Sequence, residues 1–312
     1  MKCLIVDEMH DSIGPLLESI GWEYDYQPGM GREDILRVIP AFEGLIIRSK
    51  TKVDRQLVSK ARALKFIGRA GAGIDNLDVP VIEEAGIAIL NAPEGNRNAV
   101  AEHTLGLVLG LLNNIVKSDD EIRHRKWDRE DNRGLELAGK TVGLLGYGFM
   151  GMAVAEKLAC LGCKVLAYDK YKKKCSDRFA TQVDMEEIYK EADIFSIHVP
   201  LTIETKQLIN TTYLGRFEKP IFLINTARGE IVDLEGLITS IEQGRVRAAA
   251  LDVLENEKPA HMDGNQLITF NKLIKSEKII LTPHVAGWSL ESYKKINEVL
   301  VGKIQAEING NT

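Results

Sequence analysis

The stretch Thr141-Val142-Gly143-Leu144-Leu145-Gly146-Tyr147-Gly148-Phe149-Met150-Gly151 reads as an apolar strand that runs directly into a glycine turn. The residues that follow, 152–158, are typical of a helix, and a second apolar strand, Lys164–Tyr168, ends at Asp169. Strand, glycine turn, helix, strand and acid occur in this order where a parallel sheet binds a dinucleotide. The stretch therefore predicts an α/β fold with a dinucleotide site at the turn.

The glycines of this G-x-G-x-x-G pattern have separate physical roles. Gly146 permits the tight turn, Gly148 lets the backbone approach a pyrophosphate, and Gly151 allows the helix to pack close to the strand. The unpaired amides and the dipole at the start of the helix then attract the phosphates. An ordinary tight turn is the alternative interpretation, and the flanking strands and the acid argue against it.

Asp169 indicates which dinucleotide binds. A carboxylate at this position accepts hydrogen bonds from the ribose hydroxyls and repels a 2′-phosphate, which favours NAD over NADP. The nearby Lys170, Lys172, Lys173 and Lys174 would favour a phosphate instead, but we interpret them as a solvated basic loop. The sequence therefore predicts NAD as the cofactor.

The composition is that of an ordinary globular protein with more than one domain. The chain has 312 residues, of which 45% are hydrophobic and 27% are charged, and it is long for a single hydrophobic core. Its net charge of -5 argues against a surface for nucleic acid or anionic membrane. No apolar run approaches the roughly 18 residues of a membrane span, so we expect neither kind of partner.

The cysteines of the chain predict a reducing, cytoplasmic location. Cys160 and Cys163 form a C-x-x-C pattern, but the first ends a predicted helix and the second begins a predicted strand. We therefore interpret both as buried packing residues. No spacing of histidine, cysteine or aspartate is typical of a metal site, and no metal is expected.

Two α/β segments are separated by a long helical pattern. Residues 1–95 alternate strands and helices without a glycine fingerprint, and residues from about 139 to 285 do so with it. Between them, the apolar pattern predicts one long helix over 96–126, which we interpret as a connector between domains, a contact between subunits, or both. A last helix, from about 289 to 308, is long enough to return to the first segment and make that domain discontinuous.

Three ionisable residues follow predicted strands of the second segment: Arg228, Glu257 and His284. Ligands of such sheets bind outside the carboxyl ends of the strands, so these residues are expected to converge. A neutral histidine can take a hydroxyl proton near pH 7, and a neighbouring carboxylate raises its pKa. An arginine binds a carboxylate through two parallel hydrogen bonds. The set indicates hydride transfer between NAD and a 2-hydroxyacid, although the residues alone do not decide between Glu255 and Glu257.

The chain resembles the D-2-hydroxyacid dehydrogenase family over nearly its full length. The matching motifs are Gly71-Ala72-Gly73-Ile74-Asp75-Asn76, the glycine turn, His198-Val199-Pro200-Leu201-Thr202, Asn225-Thr226-Ala227-Arg228-Gly229, Leu251-Asp252-Val253 through Glu257, and Pro283-His284-Val285-Ala286-Gly287. The resemblance implies two Rossmann-like, doubly wound α/β domains that close over a cleft. The NAD-binding domain (96–285, including the long helix) is expected to be inserted into a flavodoxin-like substrate-binding domain (1–95 and 286–312). D stereochemistry and a homodimer built on the long-helix region are also implied.

The resemblance also assigns roles to single residues. It implies Arg228 as the substrate clamp, Glu257 as the acid partner and His284 as the proton donor and acceptor. The cofactor contacts that it implies are Gly146, Gly148, Phe149, Met150, Gly151, Asp169, Val199, Pro200, Thr205, Thr226, Ala227, Asp252, His284 and Gly287. The expected substrate contacts are Arg48, Ser49, Arg69, Ala72, Gly73 and Arg228.

Within the family, the segments Arg48–Val53 and Ile67–Gly71 resemble the phosphoglycerate dehydrogenases. In those proteins, arginines at the positions of Arg48 and Arg69 contact the phosphate of the substrate; ordinary strand-end ion pairs are the alternative. The chain ends at Thr312, so no C-terminal regulatory domain is expected. The resemblance implies oxidation of 3-phospho-D-glycerate in serine synthesis. The alternatives are a hydroxypyruvate or glyoxylate reductase, an erythronate-4-phosphate dehydrogenase and an NAD-sensing corepressor.

Overall fold

A computed structural model describes residues 1–310 of the chain, which form two compact units. The first unit contains Met1–Arg97 together with the segment that begins at Trp288, and the second contains Asn98–Gly287. The boundaries lie two residues beyond those expected at 95 and 285. Residues 311 and 312, which the expected first domain includes, lie outside the described residues.

Strands and helices alternate along most of the chain. The strands are β1 (Lys2–Ile5), β2 (Glu23–Tyr26), β3 (Gly44–Ile47), β4 (Phe66–Arg69), β5 (Ala88–Asn91), β6 (Thr141–Leu145), β7 (Lys164–Tyr168), β8 (Thr181–Gln182), β9 (Ile194–Ile197), β10 (Ile221–Asn225), β11 (Val246–Leu251) and β12 (Ile279–Leu281). The helices are α1 (Ile13–Ser19), α2 (Arg32–Val38), α3 (Arg55–Lys60), α4 (Val79–Glu84), α5 (Pro93–Leu112), α6 (Ile115–Arg123), α7 (Phe149–Cys160), α8 (Met185–Glu191), α9 (Thr211–Leu214), α10 (Leu234–Glu242), α11 (Gly264–Lys275) and α12 (Leu290–Ile308).

Each unit is built on one parallel sheet. The order in the first unit is β2-β1-β3-β4-β5, which is the order of flavodoxin-like sheets. The order in the second is β8-β7-β6-β9-β10-β11-β12, which is the Rossmann order with one further strand at the β12 edge. The expected α/β fold with two doubly wound sheets is confirmed.

Strand β6 shows why the glycine stretch determines the fold of the second unit. All five of its residues are buried, as expected for a parallel strand that is covered by helices on both faces. Gly143 lies in its middle, where an added Cβ would come within 2.5 Å of Ile188 in α8. A glycine at this position therefore allows α8 to pack closely on the sheet.

Helix α12 completes the core of the first unit. Its residues Ile296, Leu300 and Ile304 are buried with apolar residues of the first sheet. Helix α12 also packs closely against the start of α5, because a Cβ on Gly95 would lie 2.6 Å from the Cα of Ile296. The first unit therefore depends on a helix that follows the whole second unit in sequence.

The prediction of one long helix over 96–126 is wrong. Helix α5 ends at Leu112 and α6 begins at Ile115, and Asn114 between them has a φ of 51°. Asparagine adopts this left-handed conformation more readily than most residues, and the two helices are bent by 62°. Within residues 1–310 no single helix is long and apolar enough to cross a membrane; only this bent pair, taken together, meets those criteria.

The sequence interpretation did not include β2, β8, α9 or α11. Helix α11 carries a readable signal, since Asp263 and Gln266 form a capping box at its start. The expected burial of Cys160 is wrong, because this residue is exposed at the end of α7; Cys163 is half-buried.

Candidate active site

The glycine turn after β6 is closely packed on one side and open on the other. Gly146 has a φ of 96°, and an added Cβ would lie 2.5 Å from the carbonyl oxygen of His198. A Cβ on Gly151 would lie 2.3 Å from the carbonyl oxygen of Gly146. By contrast, a Cβ on Gly148, which precedes α7, would meet no atom within 4 Å. The turn therefore has room for a phosphate group where the helix begins.

Asp169 follows β7 directly and is held by the backbone around it. Its carboxylate accepts hydrogen bonds from the amides of Tyr147 (3.0 Å), Tyr171 (3.0 Å) and Lys172 (3.1 Å). The lysines around it are exposed, as expected of a solvated loop, and the Lys172 ammonium donates to the carbonyl of Tyr147 at 2.6 Å. Lys170 forms an ion pair with Glu204 at 2.5 Å. These contacts fix the acid beside the glycine turn.

The other expected cofactor residues lie at the start of α7 or beyond strand ends of the same sheet. Phe149 and Met150 begin α7, and the Phe149 side chain is 42% exposed. Val199 and Pro200 follow β9, and Thr205 donates to the carbonyl of Pro200 at 2.7 Å. Thr226 and Ala227 follow β10, where Thr226 lies 3.1 Å from the hydroxyl of Thr104. Gly287 is the last residue of the second unit.

The side chains of His284 and Glu257 are in direct contact. The imidazole Nδ1 lies 2.8 and 2.9 Å from the two carboxylate oxygens. This hydrogen bond raises the pKa of His284 above its ordinary value, although burial and the positive charge of Arg228 act in the opposite direction. Because Nδ1 faces Glu257, Nε2 is the ring nitrogen that can exchange a proton with a ligand. Glu255, the alternative partner, instead lines a cavity of about 260 Å³ between α10 and α11.

Asp252 holds the backbone that carries His284. Its buried carboxylate accepts hydrogen bonds from the amides of Val285 (2.9 Å) and Ala286 (2.8 Å) and from the hydroxyl of Thr282 (2.5 Å). Burial alone would raise the pKa of Asp252, but hydrogen bonds, including one from His103, lower it. The backbone amide of His284 also donates to the Asp252 carbonyl at 2.7 Å. Asp252 therefore fixes the backbone of the loop that carries His284 and does not contact the imidazole itself through these bonds.

Arg228 is brought to the same region by a close contact of two loops. A Cβ on Gly229 would lie 1.9 Å from the carbonyl carbon of Leu254, so the loop after β10 can approach the loop after β11 only with glycine there. The Arg228 guanidinium donates to the carbonyl of Ala227 at 2.6 Å, and its charge lowers the pKa of His284. The structure thus brings Arg228, Glu257 and His284 together, as the strand-end argument predicts.

Two further histidines lie in this part of the second unit. His103 on α5 is 3.0 Å from the Thr282 hydroxyl and 3.5 Å from the Asp252 carboxylate. His198, beyond β9, contacts the Ser196 hydroxyl at 2.9 Å, and burial lowers its pKa to about 4. Only the tertiary structure shows that α5 passes the ends of β11 and β12.

The expected substrate residues all belong to the first unit, apart from Arg228. Arg48 and Ser49 follow β3, and Ser49 is exposed. Arg69 ends β4, and its guanidinium lies over Gly71, where an added Cβ would be 1.8 Å from Nη1. The residues of the next turn are Ala72 and Gly73; the carbonyl of Ala72 accepts a hydrogen bond from Asn91 at 2.7 Å.

Comparisons with known proteins identify the family. The family described as D-isomer specific 2-hydroxyacid dehydrogenase, NAD binding domain, matches residues 105–286. This chain belongs to the D-2-hydroxyacid dehydrogenase family. Like other members of the D-2-hydroxyacid dehydrogenase family, it contains the NAD-binding domain, here within the second unit. The open space at Gly148 and the fixed carboxylate of Asp169 fit a pyrophosphate and a ribose.

Individual relatives differ in how much of their length the chain matches. The chain is 35% identical to a D-3-phosphoglycerate dehydrogenase of Archaeoglobus fulgidus, over 97% of this chain but only 56% of that protein. It is 35% identical to a hydroxypyruvate reductase of Thermotoga maritima, over 89% of this chain and 88% of that protein. A solved D-lactate dehydrogenase of Aquifex aeolicus, in complex with NAD and lactic acid, has a TM-score of 0.83 at 25% identity and covers 100% of this chain and 96% of its own.

Proposed function

We propose that this protein is an NAD-dependent dehydrogenase that oxidises 3-phospho-D-glycerate to 3-phosphohydroxypyruvate, the first step of serine synthesis. The contact of His284 with Glu257, beside Arg228, carries the proposal for the reaction type. The first unit would bind the phosphate of the substrate, and the second would bind NAD and, through Arg228, the carboxylate of the substrate. The named phosphoglycerate dehydrogenase relative supports the choice of substrate.

The proposed oxidation removes a proton from the substrate hydroxyl and a hydride from carbon 2. Neutral His284 removes the proton of the substrate hydroxyl through Nε2, and the carboxylate of Glu257 stabilises the imidazolium that forms. Arg228 binds the substrate carboxylate and polarises the carbonyl group that develops at carbon 2. When bound, NAD supplies the acceptor for the hydride that leaves this carbon. In the reverse direction, protonated His284 returns the proton.

The choice among 2-hydroxyacids rests on two cations of the first unit. We propose that Arg48 and Arg69 bind the phosphate of the substrate, with Ser49, Ala72 and Gly73 alongside. A second anion on the substrate requires positive charge in addition to Arg228. A hydroxypyruvate or glyoxylate reductase is the second candidate. It is favoured by one observation, namely that the chain covers 88% of the hydroxypyruvate reductase of Thermotoga maritima.

Steady-state turnover of purified protein tests the proposal. Its kcat/KM is compared for 3-phospho-D-glycerate, D-glycerate, D-lactate and erythronate 4-phosphate, and for hydroxypyruvate and glyoxylate in the reverse direction. The proposal requires the highest value with 3-phospho-D-glycerate. A higher value with hydroxypyruvate or glyoxylate replaces it with the second candidate. A protein that binds NADH without any turnover is better described as an NAD sensor.

The assembly and location are part of the same proposal. We infer a homodimer built on the α5–α6 region, because Ile115, Val116 and Trp127 there are 53%, 53% and 79% exposed. Sedimentation equilibrium checks this, and a monomer at micromolar concentration contradicts it. We place the protein in the cytoplasm, where the exposed thiol of Cys160 stays reduced.

A further inference from the structure

Arg48 lies where ligands bind in sheets of this kind. The order β2-β1-β3 reverses between β1 and β3, and open α/β sheets bind ligands outside the strand ends at such a reversal. Arg48 is the first residue after β3. Its backbone amide donates to the buried carboxylate of Asp7 at 2.6 Å, and the same carboxylate accepts a hydrogen bond from Thr51 at 2.8 Å. The backbone of Arg48 is thus fixed at this point.

The guanidinium of Arg48 is held by aromatic rings. Its central carbon lies 4.2 Å from the ring centroid of Trp288 and 5.0 Å from that of Tyr293. The centroids of these two rings are 5.2 Å apart, and the rings of His10 and Tyr293 pack nearly perpendicular to each other with their centroids 5.6 Å apart. Among residues 1–310, no carboxylate forms an ion pair with Arg48. The rings therefore position the charge without a direct ion pair, while the nearby carboxylates of Asp7 and Glu8 act on it only through space.

This arrangement suits the recognition of an oxyanion. A ring attracts the face of a guanidinium, whereas a phosphate or carboxylate is bound by the N–H groups in its plane. The two interactions therefore do not compete, and a guanidinium with a fixed plane loses less entropy when it binds an anion. The half-burial of Arg48 lowers its pKa, and the neighbouring Tyr293 and Asp7 partly offset this. Partial loss of water strengthens its attraction for an anion.

We propose that Trp288 and Tyr293 are positioning residues that orient Arg48 toward the terminal phosphate of the substrate. The proposal rests on the function proposed above, and it adds that the rings set the preference for phosphorylated over unphosphorylated 2-hydroxyacids. Neither ring touches the reacting atoms in this role. Their effect passes through Arg48 and belongs to binding of the anionic end.

Replacement of Trp288 gives the first test. Trp288→Ala is expected to lower the ratio of kcat/KM for 3-phospho-D-glycerate to that for D-glycerate about five- to tenfold, mainly through KM. Trp288→Phe retains a ring and is expected to recover most of the ratio. Leu290→Ala is the matched control, because Leu290 is an 88% exposed apolar residue of the same segment. Equal losses with both substrates, or no recovery by phenylalanine, overturn the proposal.

A double-mutant cycle separates positioning from general packing. If Trp288 acts through Arg48, Trp288→Ala causes no further fall of the ratio in an Arg48→Ala background. A fall of the same size in both backgrounds contradicts the proposal. Tyr293→Ala is expected to behave in the same way as Trp288→Ala. Thermal unfolding of every variant is measured alongside, and Trp288→Ala is expected to fold because Trp288 is 56% exposed.

Direct binding distinguishes failure of this inference from failure of the proposed function. If the wild-type protein oxidises neither acid, the proposed function is wrong, but 3-phospho-D-glycerate can still be titrated calorimetrically without turnover. If the wild type binds 3-phospho-D-glycerate and the affinity is about five- to tenfold weaker in Trp288→Ala, the result supports the role of the two rings in positioning Arg48. Equal affinities, or no binding to the wild type, overturn it.

Discussion

His284 has an unusual backbone conformation and a side chain whose pKa is raised. Its φ of 56° lies in the left-handed region, which few residues other than glycine adopt and which is often found at functional sites. The amides that follow it are held by Asp252, so the surrounding hydrogen bonds maintain this conformation. The ring contacts Glu257, and that contact raises the pKa of the imidazole.

Replacement of Glu257 tests this pair at the level of one residue. Because Glu257 raises the pKa of His284, Glu257→Gln is expected to lower it. In the proposed mechanism, oxidation needs neutral His284, so the acid limb of its kcat/KM profile should move to lower pH. Reduction needs protonated His284, so its alkaline limb should also move to lower pH. At neutral pH, kcat for oxidation should fall at least about tenfold, because the imidazolium that forms loses its neighbouring carboxylate. Activity is measured against pH in both directions.

Glu255→Gln is the matched control for this experiment. Glu255 lies two positions earlier but lines the cavity beside α11, so its replacement should leave both limbs in place. Limbs that stay fixed in Glu257→Gln, or that move equally in both variants, contradict the role of Glu257. The sequence could not separate these two glutamates by itself, because both follow β11 and the direction of each side chain depends on the path of the loop.

At the level of elements, the turn between β6 and α7 offers a contrast between two glycines. A Cβ on Gly148 meets no protein atom within 4 Å, and its φ of -83° suits alanine. Gly148→Ala should therefore leave the melting temperature unchanged and weaken NADH binding by about tenfold or more, because the methyl group occupies the phosphate position. Thermal unfolding and fluorescence titration with NADH measure the two effects.

Gly146→Ala is expected to behave differently. Its φ of 96° and the 2.5 Å approach to His198 mean that alanine strains the turn itself, at a cost of more than about 1 kcal/mol in the free energy of unfolding. Both stability and NADH binding should then decrease. A Gly148→Ala protein with a lowered melting temperature and normal affinity for NADH would show that this glycine serves folding rather than the cofactor.

The sequence predicted those elements whose signals are local. The apolar strands next to the glycine turn, and the acid after β7, follow from short patterns that a buried parallel sheet requires. The break between α5 and α6 was missed because it depends on one left-handed residue, Asn114. The contact of His103 with Thr282 was also beyond reach, since the two residues are far apart in the chain. The contacts of Arg48 with Trp288 and Tyr293 could not be predicted for the same reason, because the two rings are far from Arg48 in the sequence.

At the scale of the whole molecule, the two units differ in how the chain builds them. The second unit is one continuous segment, Asn98–Gly287, with its own apolar cores. The first unit needs two pieces, because Ile296, Leu300 and Ile304 of α12 are part of its core. Deleting the helix would expose this apolar surface to water. The units should therefore differ in whether they fold when they are expressed alone.

Expression of fragments tests this difference. A fragment of residues 98–287 is expected to unfold cooperatively and to bind NADH, because it contains the complete glycine turn, Asp169 and Asp252. It should show no turnover, since the whole first unit, which is proposed to bind the substrate, is absent. A fragment of residues 1–97 is the control, and without α12 it should not fold. Circular dichroism during heating and NADH titration measure both properties. A disordered 98–287 fragment would mean that the second unit depends on the first for stability, and that the two form one cooperative unit.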